Sequence, residues 1–308
     1  MRMLRLIVTA AVLAPAVGCN WMKEHWGDSG PPRPRSTEKL PDVAPDRLVG
    51  YLNDRAARFH SVSYGDVRIQ CSRVISLPPL EGDLVCSQPR SFRMVGQTKM
   101  PGAKFDLGSN EQQFWMYLQV PTEKPVYVYA SHTDFAEGRA SLPGDMPFEP
   151  DWVMQALGMM TFPTTAPDPA RPYQVRINER ERTYTLWWQT KTPTGVPIRK
   201  EIVFDGDMAV PPRPQVKRHV IKNDKDKLIC SAEIKTAQLT SPGTGSQSVI
   251  EYPTRVVLRW EEQKFEMDLT LDKAQVNQTI PEEQARRVFS RPSIQNVKPI
   301  DLARYEYR

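Results

Sequence analysis

The feature that most narrows the fold is a period-two alternation of apolar and polar residues running through most of the chain. Val67, Ile69 and Cys71 alternate with Asp66, Arg68 and Gln70, and Phe265, Met267, Leu269 and Leu271 alternate with Glu266, Asp268 and Thr270. The same rhythm runs through Leu228, Cys230, Ala232 and Ile234, and through Val256, Leu258 and Trp260. Successive side chains of a strand point to opposite faces, so clean alternation predicts antiparallel sheet with one face buried and one in water. Turn signals such as Asp205-Gly206 and Ser241-Pro242-Gly243-Thr244-Gly245 separate the runs. Roughly ten strands are legible, a number at which an open sheet usually curls.

Helix is confined to short pieces. Leu48, Leu52, Ala56 and Phe59 recur at helical spacing, which predicts an amphipathic helix over Asp46 to Phe59. Asp151 to Met160 reads as an apolar helix with an N-cap aspartate, and Pro281 to Phe289 opens with proline and acids as a helix should. The 29 prolines among 308 residues point to many turns and few long helices.

The first residues obey a different logic. Arg2 and Arg5 precede an apolar run from Leu6 to Val17, and small residues lead to Cys19. That is the layout of a secretory signal, and the run falls short of the roughly 20 apolar residues a spanning helix needs. Ala16-Val17-Gly18-Cys19 resembles the bacterial lipobox, although Ala16 stands where leucine is usual. The sequence thus predicts a signal over 1–18 and acyl chains on Cys19; the bland alternative is a plain signal cut near Gly18. Residues 19–45 hold Gly, Pro, Ser and charge, which cannot bury a core, and read as a flexible tether. A single domain over 46–308 follows. Asn20, rather than aspartate, after the cysteine points to the outer membrane, facing the periplasm.

Loss of Arg2 and Arg5 with the signal lowers the formal charge from +5 to +3, too little to argue for nucleic acid. An oxidising compartment permits a disulfide, and Cys71 and Cys86 flank the turn signal Leu77 to Gly82; the alternative is three small buried thiols, Cys230 included. His25, His60, His132 and His219 are scattered, no HExxH, Walker loop or GxSxG occurs, and no cysteine–histidine cluster offers a metal site. The expectation is a protein without cofactor that is not an enzyme. The basic stretch Arg213 to Lys227 reads as a solvated strand and turn, with anionic lipid head groups as its other reading.

Three strands break the one-sided rule. Phe114-Trp115-Met116-Tyr117-Leu118 is apolar on both faces, as is Tyr184-Leu186-Trp188 with Trp187 opposite, and Val126-Tyr127-Val128-Tyr129 is a third. Both faces of such strands need covering, by a helix on one side and by bound apolar chain or more protein on the other.

The order of several short motifs resembles the periplasmic lipoprotein carrier and outer-membrane receptor superfamily, the LolA/LolB-like proteins. The anchors are Phe59-His60-Ser61-Val62-Ser63-Tyr64, Glu81-Gly82-Asp83-Leu84, Pro89-Arg90-Ser91-Phe92-Arg93, Phe105 to Asn110, Phe114 to Tyr117 and Val288-Phe289-Ser290-Arg291-Pro292. The resemblance implies a mainly β (α+β) fold: an unclosed antiparallel β-barrel around an apolar cavity, lidded by two or three helices, that binds acyl chains without catalysis. Gln88 stands where the carrier has an arginine before the hairpin proline, and 131–170 and 205–248 are extra. The expectation is therefore an exported, membrane-anchored lipoprotein that binds a lipid or the acyl chain of another lipoprotein. The alternative is a structural or interaction lipoprotein with a packed barrel. Candidate cavity residues are Phe92, Met94, Phe114, Met116, Leu186, Trp188, Leu258, Trp260, Met267 and Leu269; parity alone leaves open which face of the doubly apolar strands points inward.

Overall fold

The computed structural model describes residues 38–72, 78–99, 102–121, 123–140, 149–207, 213–241 and 249–305. The signal, Cys19 and the tether through Thr37 lie outside these residues, as do Pro242 to Gly245.

The stripe Leu48, Val49, Leu52 and Ala56 is buried on one face of α1 (Pro45–Arg58), which begins with proline and Asp46 and ends with Arg55 and Arg58, as the helix dipole favours. Six strands follow: β1 (Ser61–Ser72), β2 (Leu80–Ser87), β3 (Ser91–Gln97), β4 (Lys104–Ser109), β5 (Gln113–Gln119) and β6 (Val126–Ser131). The short helices α2 (His132–Ala136) and α3 (Trp152–Leu157) come next. Seven further strands complete the hairpins: β7 (Gln174–Asn178), β8 (Thr183–Lys191), β9 (Pro197–Asp205), β10 (Val216–Asn223), β11 (Leu228–Thr240), β12 (Ile250–Trp260) and β13 (Phe265–Val276). Helix α4 (Glu282–Val288) and the two-residue β14 (Ile300–Asp301) close the chain.

All the strands join one sheet in the order β14-β6-β5-β4-β3-β2-β1-β13-β12-β11-β10-β9-β8-β7. It is two meanders stitched together where β1 pairs with β13, and its ends, β14 and β7, are not neighbours, so it is unclosed. Among the described residues there are fourteen strands rather than ten, and four α-helices rather than two or three. The shortfall comes from short strands with no run of alternation, such as β14. The pairing is also not wholly antiparallel, since β14 runs parallel to β6.

Register puts the start of β1, the turns 87–91, 109–113 and 178–183, and the connections after β9 and β11 at one end of the strands, here called the mouth end. At that end Leu40 is buried, its N–H donates to Glu179 (3.1 Å), and the Tyr184 hydroxyl donates to the Pro41 carbonyl (2.9 Å). Packing against the domain thus includes Leu40 and Pro41, ahead of α1, because one apolar residue of the expected tether finds a socket.

The cysteine bridge does not form: Cys71 and Cys86 are not joined by a disulfide. Cys86 pairs with Val62 near the start of β1 whereas Cys71 lies opposite Met267 near its end, a separation of about 30 Å along the strand. Ile69 pairs with Leu80, so the two cysteines do not face each other across the hairpin. The basic stretch is a strand and turn in which Lys217, Lys222 and Lys227 meet Asp205, Glu201 and Glu262.

Candidate functional site

The inner face of the sheet carries two apolar cores. The larger gathers residues of β1–β6 and β9–β13 around α3, and the smaller joins α1, Leu40, Phe162 and Tyr173 to the inner faces of β8 and β9. Eight of the ten candidate cavity residues meet in the larger core: Phe92, Met94, Phe114, Leu258, Trp260 and Leu269 are buried there, with Met116 and Met267 packed against it. Leu186 and Trp188 fall in the smaller core instead, because β8 lies on the far side of the sheet, under α1.

Parity is resolved as well. Phe114 points inward, while Trp115, Tyr117 and Tyr127 form a third cluster with Ile294 and Val297 of the C-terminal segment. The outer cover of β5 and β6 is therefore more protein. Trp115 Nε1 donates to Asp106 (2.9 Å), which also holds Arg93, the Tyr127 hydroxyl donates to the Pro292 carbonyl, and the Arg291 guanidinium stacks 3.7 Å above the Tyr129 ring. Gly108 lets the Trp115 ring lie flat on β4, since a Cβ there would enter the ring.

The inner cover is α3, a helix the sequence predicts over Asp151 to Met160 without placing it inside the sheet. Trp152, Val153, Met154, Ala156, Leu157 and Met159, on and just after α3, fill the concavity above the candidate residues, with Trp152 edge-on to Trp260 at 5.6 Å. The signal was present: Trp152 to Met160 is apolar all round, as a buried helix requires. Polar contacts fasten this cover at both ends. Asp151 does not cap the helix; Arg90 takes its carboxylate at 2.9 Å. The Gln88 amide donates to the carbonyls of Met159 and Ala56, both at 2.8 Å. Gly158, in the left-handed region at φ +80°, leaves room for Arg55, whose Nε would lie 2.6 Å from a Cβ at that position. Arg55 reaches Glu251 (3.4 Å) and the Glu251 carbonyl (3.2 Å), so a buried ion pair ties α1 to β12 beside the cover. Beside Gln88 and Arg90 a pocket of about 440 Å³ opens at the mouth end, lined also by Pro89, Glu111, Met159, Met160 and Thr161.

Burial holds Cys71, Cys230 and His219 in their neutral forms. Burial pushes the Cys71 thiol up to about 11 and Cys230 to about 12, and drives the His219 imidazole down to about 3, with Arg55 and Lys200 adding to that shift. Ser109 and His132 come within 3.0 Å, a pair resembling a nucleophile and its base. The same ring nitrogen lies 2.9 Å from the Asn110 carbonyl, which only accepts, so for that bond it carries the proton and offers Ser109 no lone pair. Ser109 is also fully buried, and the pair orders the β4–β5 turn. Among the described residues no three His, Cys, Asp or Glu converge as a metal would need, and no helix is long and apolar enough to cross a membrane.

No family model and no curated protein matches this chain. Solved structures to which it is similar include a putative outer membrane lipoprotein-sorting protein domain from Vibrio parahaemolyticus (8% identity, TM-score 0.49, 79% of this chain and 98% of that one). A DUF1329 family protein from Desulfovibrio piger (10%, 0.46, 77% and 94%) and a LolA superfamily protein from Nitrosomonas europaea (8%, 0.45, 81% and 99%) are two more. The last bears the name of the superfamily that the sequence motifs resemble.

Proposed function

We propose that this chain is an exported protein, anchored by lipid on Cys19, that holds an acyl chain of a lipid or lipoprotein on the inner face of its sheet. The chain takes the place now filled by Trp152, Met154, Leu157 and Met159. One observation carries this reading: the side chains filling the concavity belong to a six-residue helix and the turn after it, fastened by Arg90 and Gln88, and not to the sheet wall. A separable cover and a fixed wall are what reversible occupancy requires. The energies match. Four such side chains are worth about 2 kcal/mol each, and an acyl chain gains about 0.8 kcal/mol per CH₂, so ten or so methylenes replace them at little net cost. Methionine suits a surface that packs against two different partners.

Full-length protein taken from membranes is expected to carry acyl lipid by mass spectrometry and to bind a fluorescent fatty acid. Arg90→Ala, which frees one end of α3, is expected to tighten that binding several-fold. Absence of lipid together with absence of binding in both proteins sinks the proposal. Labelled fatty acid is expected on the chain and lost in Cys19→Ser; its absence from the unaltered chain refutes the anchor. A second reading, a structural lipoprotein with no ligand, is favoured by the filled interior, with Phe92, Met94 and Phe114 each about 1% exposed. It predicts no lipid and no effect of Arg90→Ala on binding.

A further inference from the structure

Alternation along β9 puts Ile198, Lys200, Ile202 and Phe204 on one face, and the three apolar residues are buried in the inner cores. Lys200 stands where the pattern calls for a fourth. Register sets it in a row across the sheet, Trp188–Lys200–Ile221–Cys230–Trp260, in which every other member is buried. The lysine stem can pack among such neighbours, but its ammonium needs an anion. Glu201, next in the chain, faces the other side of the sheet and is engaged there by Arg176, Arg199 and Lys222.

Among the described residues the anion is Glu149, whose carboxylate takes the Lys200 ammonium, the two side chains being 17% (Lys200) and 23% (Glu149) exposed. Glu149 belongs to the cover and not to the wall: its carbonyl accepts from the Trp152 N–H (2.9 Å) at the start of α3. The wall meets the cover a second time in the same row, where Trp260 lies edge-on to Trp152. There the Trp260 Nε1 is buried without a hydrogen-bond partner, a donor that hydrocarbon cannot satisfy and an oxygen can. Taking one partner away from a buried ion pair strands the other, at a cost well above what the intact pair contributes. If α3 leaves the concavity, Glu149 leaves with it. A purely hydrocarbon ligand then abandons the Lys200 ammonium on an apolar wall, whereas a ligand with its own anion restores the pair.

We propose that Lys200 is the head-group site of the acyl ligand, that the ligand is an anionic amphiphile bearing a carboxylate or phosphate, and that Glu149 is its built-in stand-in. This rests on the acyl-chain reading given above. The cover then copies the whole ligand, with Glu149 in place of the head and Trp152, Met154, Leu157 and Met159 in place of the tail. Neutral acyl lipids are discriminated against by the lysine they leave unpaired.

The test measures binding of a fluorescent fatty acid and of its methyl ester, at neutral pH, to full-length chain that is unaltered or carries Glu149→Gln, Lys200→Gln or Lys200→Arg. The unaltered chain is expected to prefer the acid to the ester by about tenfold. Lys200→Gln is expected to bind the two alike, with its ester binding showing that the site is folded, and Lys200→Arg to keep the preference. Glu149→Gln removes the stand-in and is expected to tighten acid binding several-fold. Displacement of the probe by laurate and by monododecyl phosphate then ranks carboxylate against phosphate as the head group. Acid and ester bound equally by the unaltered chain, a preference that survives Lys200→Gln, or no tightening in Glu149→Gln overturns the head-group site while leaving the acyl-chain reading standing. Binding of neither ligand to any of the four proteins overturns both.

Discussion

Strands β5 and β8 pose the same problem and solve it differently. Each carries large apolar side chains on both faces, and on both the inner face is buried under helix or loop. On the outside, β5 is roofed by the C-terminal segment, which encloses Trp115 completely. Among the described residues the outer face of β8 has no such roof. Trp187 stays partly exposed beneath the Arg199 guanidinium, 5.6 Å from the ring, and next to it Arg176, Arg199 and Lys222 converge on the buried carboxylate of Glu201. A doubly apolar strand therefore announces that a cover exists, and says nothing of whether chain or cation stems provide it.

The sharpest break in the comparison is Trp115→Ala against Trp187→Ala. The first is expected to cost about 4 kcal/mol in urea unfolding through cavity and lost contacts, and the second about 1 kcal/mol. Equal losses would mean that the C-terminal roof adds nothing. Next in size is the acid response of the interior. His219 is held neutral in the fold, with its pKa down to about 3 against 6.5 unfolded. Below pH 6.5 the unfolded chain takes up this proton and the native one does not. Stability is then lost as pH falls from about 6.5 toward 3, with a slope of up to about 1.4 kcal/mol per pH unit. His219→Gln is expected to flatten that slope, and an unchanged slope in pH-dependent thermal melts would remove His219 from the account.

Smaller again is Glu201→Ala, which leaves three cations together without their carboxylate. Because those cations are themselves partly in water, the loss is expected to be about 2 kcal/mol, and much of it should be recovered by added salt. Smallest is Tyr127→Phe, which deletes the bond to Pro292 at a cost of about 1 kcal/mol. Its discriminating readout is faster amide exchange confined to 289–302. Exchange that rises over the whole sheet would show that the roof and the sheet unfold as one unit.

Much of the fold was legible because its main signal is local. Alternation located β1, β11, β12 and β13, and helical spacing set α1 to within a residue or two of its bounds. What escaped depends on distant partners. The two cysteines are parted by register: Ile69 pairs with Leu80 and Val62 with Cys86, which leaves Cys71 near one end of the β1–β2 pair and Cys86 near the other. Asp151 has the chemistry of a helix cap, yet Arg90, on another turn, outbids the backbone for its carboxylate. Leu186 and Trp188 share the composition of the other candidate residues, and only the sheet order assigns them to the core under α1. The position of the cover was missed for the opposite reason: Trp152 to Met160 was recognised as apolar, but sequence cannot say that this helix lies inside the curve of the sheet.

The seam between the meanders bears on how such a chain matures while it emerges N-terminus first. Val62 pairs with Val276, about 210 residues further on, so the closing contact is among the most non-local in the molecule. Until β13 arrives, in the last seventh of the chain, β1 presents one row of unpaired backbone donors and acceptors along a strand whose inner residues, Val67 and Ile69, are destined for full burial. The early half is thus an adhesive intermediate by construction. Its safe passage depends on how quickly β13 follows, or on what shields that open edge in the meantime.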